Sequence, residues 1–164
     1  MSKNRTLQIG AITDDGFLEF CQKLAALEAE SNRPIKIEMH SEGGESYAGL
    51  AYANRIKASQ CQTSVTVFGA CFSAAVLPMA SCTIRRAHSS AWFMVHEDSV
   101  ELNGYTKDIA VKSMQGVREE IQYCALLALR THKDAGFWHE ACKRTTYLSA
   151  AEAKELGLID EVIE

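Results

Sequence analysis

From Val65 to Ile84 the chain carries no charged side chain. About twenty such residues would also suffice to cross a bilayer. This run, however, is broken by Gly69, Ser73, Pro78 and Ser81, and its β-branched residues are bunched at one end. It therefore reads as a buried strand, Val65-Thr66-Val67-Phe68, that breaks at Gly69 and passes into a small-residue helical pattern opened by Ser73. A second strand-like run, Ala91-Trp92-Phe93-Met94-Val95, delivers His96 at its end. Any fold must bury this unit and arrange the rest of the chain around it.

With 164 residues and no shift in composition, the chain is expected to form one domain, 1–164. Its 47% hydrophobic and 23% charged residues suit a globular protein. The net charge of −4 argues against a phosphate-driven nucleic-acid binder. The one basic cluster, Arg85-Arg86, reads as a solvated strand end or turn. Six cysteines are present without a CxxC pair or a Cys/His cluster of zinc-finger spacing, so no metal and no cofactor is expected. The opening MSKNRTLQIG lacks the apolar core of a signal peptide. Reduced thiols, a cytoplasmic location and no membrane contact follow as expectations.

In chain order, Thr6 to Ile12 reads as a strand. Thr13 caps an amphipathic helix running to about Glu30, with Phe17, Phe20, Leu24 and Leu27 on one face. Ile35 to His40 alternates as a half-buried strand. Ser41-Glu42-Gly43-Gly44 follows, then a helix from Tyr47 to about Ser59 and a strand from Thr63. Strands alternating with helices imply crossovers and a largely parallel sheet, an α/β fold. Thr106 opens a long helix that the pattern carries to about Ala135, with Gly136 as its stop. At about 1.5 Å per residue it would reach about 45 Å. Its apolar stripe would pack either on its own domain or on a partner subunit. Ser149 and Glu152 form a capping box for a short helix ending at Gly157, before a last strand from Leu158 to Ile163.

Three places can carry chemistry. Ser73 sits where amides at a helix start are unpaired and the dipole is positive, which suits a nucleophile beside an oxyanion hole; a plain cap is the commoner use of such a serine. Gly43-Gly44, directly after a strand, lets backbone N–H groups face a ligand, though a plain turn is the commoner reading. His96 ends the buried strand that follows the Ser73 helix, so it is a candidate base. His40, His88, His132 and His139 read as ordinary core histidines.

The order of these pieces resembles the ClpP family, the proteolytic subunits of Clp protease. The family's strand and Ser-Pro-Gly-Gly turn resemble Ile37 to Gly44. Its Gly-x-x-x-Ser motif resembles Gly69 to Ser73, and its Met-Ile-His segment resembles Met94-Val95-His96. Its Ser-Ala-x-Glu-Ala helix and Gly-Leu-Ile-Asp ending are matched by Ser149 to Ala153 and Gly157 to Asp160. The resemblance implies a crotonase-like β-spiral with crossover helices and a protruding handle helix, about 106–135. It implies a serine endopeptidase of unfolded polypeptides, with Ser73 as nucleophile, His96 as general base and acid, and the amides of Gly44 and Ala74 as oxyanion donors. The substrate would lie extended beside Gly43-Gly44 by β-augmentation. Homo-oligomeric rings, heptamers or stacked heptamers, and an ATPase unfoldase are the implied partners.

The chain departs from the family pattern in three ways. The third triad position falls on Thr145, in a run (Lys143-Arg144-Thr145-Thr146) with no acid. Glu97, Asp98 and Glu140 are the candidate substitutes. Only about five polar residues precede the first strand, where the family has an axial loop that meets its ATPase. Glu42 replaces proline, and the link from Ser73 to His96 is short, as in compact phage and prophage relatives. The alternative to an active peptidase is a weak or inactive ClpP-like scaffold subunit. A crotonase-like acyl-CoA enzyme and a Ser–Lys dyad rank below both.

Overall fold

In the computed structural model, residues 4–99 and 103–164 are described. Five strands run parallel in the order β1 (Thr6–Ile9), β2 (Ile35–Ser41), β3 (Thr63–Phe72), β4 (Ile84–His88) and β7 (Glu161–Ile163). The remaining two turn off this path: β5 (Trp92–Val95) pairs parallel with the end of β3, and β6 (Thr146–Ser149) pairs antiparallel with β5. The pivot is β3. Its first half, Ser64 to Val67, lies beside β4, and its last residues, Ala70 to Phe72, lie beside β5. One long strand therefore serves two arms of the sheet, which gives the mixed α/β spiral its corner.

The crossover helices are α1 (Asp14–Glu30) and α2 (Ser46–Lys57), followed after β3 by the short α3 (Val76–Ser81). Thr13 caps α1 as its residue type predicts, its hydroxyl accepting from Gly16 N–H at 3.1 Å. The alternation of β2 is that of a strand with one face in the core: Ile35, Ile37 and Met39 are buried, Lys36 and His40 exposed. Both halves of the β3 corner contribute to the same core, through Val65, Val67 and Cys71. All six cysteines are free thiols, and burial raises those of Cys71 and Cys82, the latter to about 12. Such thiols are inert packing groups.

Several boundaries differ from the sequence reading. The first strand stops at Ile9, and Ile12 makes an isolated bridge with Gly44 instead. β3 does not break at Gly69. It runs on to Phe72, and Gly69 is glycine because a Cβ there would stand 2.7 Å from His40 Nδ1. The long helix α4 covers Thr106–Ala128 and not 106–135, so it spans about 35 Å. A turn follows in which Arg130 reaches back to the carbonyls of Ala80 and Cys82, both at 2.8 Å. A separate helix, α5 (Ala135–Lys143), then begins at Asp134, whose carboxylate caps Phe137 N–H at 2.8 Å. Gly136 thus lies in a first turn and stops nothing. The capping box of α6 (Ala150–Glu155) and the positive φ of Gly157, 74°, occur where the sequence places them.

Arg85 is not solvated. It is 9% exposed and sits under the C-terminal turn, donating to the carbonyls of Arg130 (2.8 Å) and Gly157 (3.1 Å) and to the Asp160 carboxylate (2.5 Å). Burial works to raise the Asp160 carboxyl, but the Arg85 hydrogen bonds prevail and hold it below its ordinary value. Arg85→Ala is expected to cost about 2–4 kcal/mol in urea unfolding, chiefly by orphaning these acceptors. A carboxyl lowered in the folded state stabilises above the unfolded value, near 3.8, and that contribution disappears as pH falls through the folded value. The gap between wild type and variant should therefore narrow below about pH 4; a constant gap would mean that Asp160 contributes nothing.

Candidate active site

The pair that matters is Ser73 and His96, brought together by strand register. Phe72, the last residue of β3, lies opposite Met94 of β5. Ser73 therefore follows directly after one strand end, and His96 follows one residue past the other. Their side chains meet with Ser73 Oγ 2.8 Å from His96 Nε2. Ser73 begins a single 3₁₀ turn with φ 55°, a left-handed value that a non-glycine residue adopts at a cost. The turn is locked from behind: α2 passes so close that a Cβ on Gly49 would stand 2.7 Å from the Ala74 carbonyl. Tyr123 of α4 donates to the Ser73 carbonyl at 3.3 Å, and burial pushes its phenol well above the ordinary value. No sequence pattern singled out Gly49 or Tyr123, because both act through distant backbone.

Gly43 and Gly44 complete the wall opposite Ser73. Their φ values, 98° and 145°, belong to the region that favours glycine. A Cβ on Gly43 would stand 2.8 Å from the Phe72 carbonyl and 3.4 Å from Ala74 N, so the glycine pair lies directly against the serine turn. The bridge to Ile12 uses the Gly43 carbonyl and the Glu45 amide, both at 2.9 Å. Gly44's own amide is thereby left out of that bridge. Gly43→Ala should cost about 1–3 kcal/mol, through strained φ and the clash with Phe72, and displace the Ser73 turn. A thermal melt together with peptidase assays would check both effects.

The third position is different. Antiparallel pairing of Val95 with Thr146 puts Thr145 next to His96 along the ladder. Thr145 then turns into the left-handed region at φ 48°, and its N–H goes to the Cys142 carbonyl at 2.9 Å. Among the described residues, Ser73 is the only hydrogen-bond partner of His96. The candidate acids are engaged elsewhere or bonded through backbone: Asp98 accepts from Ser46 at 3.2 Å and Glu140 from Lys143 at 3.1 Å, and Glu97 N–H reaches the Cys142 carbonyl at 3.2 Å.

The pair lies at the foot of a cleft of about 110 Å³ between α2 and α4, lined by Leu50, Leu77, Leu126 and Tyr123 among others. Tyr47 of α2 donates to Glu119 of α4 across its mouth, and Gln115 donates to the same carboxylate at 2.9 Å. Among the described residues no lysine lines the cleft, which leaves a Ser–Lys dyad without support.

A serine hydroxyl bonded to an imidazole, on a strained turn with helix-start amides beside it, is the arrangement that the class of serine hydrolases uses. The comparisons narrow this. The sequence matches the Clp protease family over residues 1–164, and the chain belongs to that family. It is 28% identical to ATP-dependent Clp protease proteolytic subunit 2 of Corynebacterium diphtheriae, over 99% of this chain and 83% of that one. The corresponding subunit of Corynebacterium efficiens is also 28% identical, over 98% and 83%. Among solved structures, a ClpP1 mutant from Listeria monocytogenes superposes with a TM-score of 0.91 at 26% identity, covering 98% of this chain and 92% of that one. The β-spiral and its long helix are thus the ClpP fold, and a serine peptidase of the Clp type is what the family supports. No helix of the described residues is long and apolar enough to cross a membrane.

Proposed function

We propose that the protein is a serine endopeptidase that cleaves unfolded polypeptides inside an oligomeric chamber. Ser73 attacks the peptide carbonyl, and His96 takes the hydroxyl proton through Nε2 and returns it to the leaving amine. The amides of Gly44 and Ala74 hold the oxyanion, and the substrate backbone lies extended along Gly43-Gly44. The observation that carries this reading is the 2.8 Å contact between Ser73 Oγ and His96 Nε2. A fluorophosphonate probe tests it: labelling should map to Ser73, and a folded protein that resists the probe would refute the reading.

The exposed stripe of α4 supports the chamber. Val111, Met114, Val117 and Ile121 recur at three- and four-residue steps along it and are 59–63% exposed. An apolar stripe of that kind asks for a partner. A second copy of this chain covers it in the proposed assembly, in heptameric rings or stacked rings, with a Clp-type ATPase feeding substrate. Light scattering should report a mass of several subunits, and a monomer at assay concentration would exclude the chamber.

A second reading rests on Thr145. With no carboxylate bonded to His96, the imidazolium formed during attack is poorly stabilised, and the subunit turns over slowly or acts as a scaffold. Full-speed hydrolysis of a short fluorogenic peptide would exclude it.

A further inference from the structure

Behind the cleft, α4 and α5 lie side by side and present a set of metal-type donors that their sequence spacing conceals. Glu120 and Cys124 are one turn apart on α4, and His139 and Cys142 nearly one turn apart on α5. The Glu120 carboxylate, the Cys124 sulfur and a ring nitrogen of His139 lie within 4.8 Å of one another. The Cys142 side chain lies beside that of Cys124. Glu120 Oε1 is shut away from solvent, and His139 Nδ1 stands 2.7 Å from it without meeting it in hydrogen-bond geometry. Two lone-pair atoms and a sulfur thus converge on one point.

We propose that Glu120, Cys124 and His139 bind a thiophilic divalent cation, zinc by its tolerance of mixed oxygen, nitrogen and sulfur ligands, with Cys142 as the fourth donor. Bonds of about 2.0–2.3 Å set tetrahedral donors about 3.5 Å apart. For Glu120, Cys124 and His139, reaching that spacing takes side-chain movements on the order of 1 Å, which the long Glu120 and half-exposed His139 side chains permit; Cys142, outside that 4.8 Å group, has to swing further, about its χ1 bond. Cys124 and Cys142 are buried, so the ion enters past His139. Binding converts the thiols to thiolates and releases their protons to solvent, so affinity falls as pH falls. Four protein donors leave no open coordination position, which makes the site structural. Its consequence reaches the active site through backbone: the Cys142 carbonyl accepts from the amides of Glu97 and Thr145, the residues flanking and facing His96. An ion tying α5 to α4 would fix that carbonyl.

The test is a cobalt titration of the full-length protein under a non-thiol reductant, which keeps Cys124 and Cys142 from pairing. The expected result is an intense near-ultraviolet thiolate-to-cobalt band with tetrahedral bands in the visible, all bleached by added zinc. Competition with a chromophoric chelator should then show zinc bound at least about tenfold more weakly by Cys124→Ser and by His139→Gln, since losing even an outer partner of a ligand costs 10–100-fold. His132→Gln, an exposed histidine that packs on Gly157 and is not one of the set, should leave affinity unchanged. Cobalt spectra without a thiolate band, or zinc affinity indifferent to both ligand substitutions, would overturn the proposal. The wild-type spectrum decides the matter even where a variant folds poorly.

Discussion

Ser73→Ala should abolish both fluorophosphonate labelling and peptide hydrolysis while leaving the fold in place. The loss should be at least three orders of magnitude in kcat, on the order seen when a nucleophile is removed from other serine peptidases. Among the described residues the hydroxyl bonds only to His96. The turn is held by Gly49 and Tyr123, and both contacts are to backbone. Melting temperature and oligomeric mass should therefore match wild type. His96→Ala should cost a similar factor, and the double variant little more, because the two side chains act as one unit. Wild-type turnover in Ser73→Ala would place the chemistry elsewhere.

Thr145→Asp should act in the opposite direction. Threonine is a poor residue for φ 48°, because its branched Cβ crowds the following carbonyl; aspartate adopts that conformation far more readily. The change should relieve strain of about 1 kcal/mol and place a carboxylate opposite His96 in the ladder. A carboxylate on Nδ1–H fixes the tautomer and stabilises the imidazolium. Neutralising that group cost about 10⁴ in the best-studied serine protease, so a gain of 10- to 1,000-fold in kcat is expected here. Thr145→Asn shares the backbone preference but not the charge, and should gain far less. Equal rates for all three side chains would mean that His96 needs no orienting acid.

Ser73 and His96 were legible in the sequence because each stands at the end of an apolar run, and the register of adjacent parallel strands brings such ends together. The glycine pair was legible for a related reason: two glycines after a strand have few uses. What escaped depended on contacts between distant segments. β4 and β6 are short, and their partners β7 and β5 lie far away along the chain, with α4 and α5 between. The end of α4 was misplaced because helical periodicity continues into α5. What breaks it is tertiary: Arg130 anchoring to Ala80 and Cys82, and Trp138 donating to Thr131 at 2.9 Å. Arg85 reads as a surface charge until Asp160, 75 residues later, is seen beside it. The donor set on α4 and α5 hid likewise, since neither helix alone carries a metal motif.

The doubled role of β3 has a consequence for when the enzyme becomes dangerous to its surroundings. Ser73 is carried by the end of β3, but His96, its base in the proposed mechanism, is carried by β5, and it is the pairing of β5 along Ala70 to Phe72 that brings the two together. A parallel register slipped by one residue would carry His96 about 3.3 Å along the strand, beyond any proton transfer. A nascent or partly unfolded chain therefore holds a hydroxyl without its base. In the proposed mechanism, completion of the sheet is itself the act of arming.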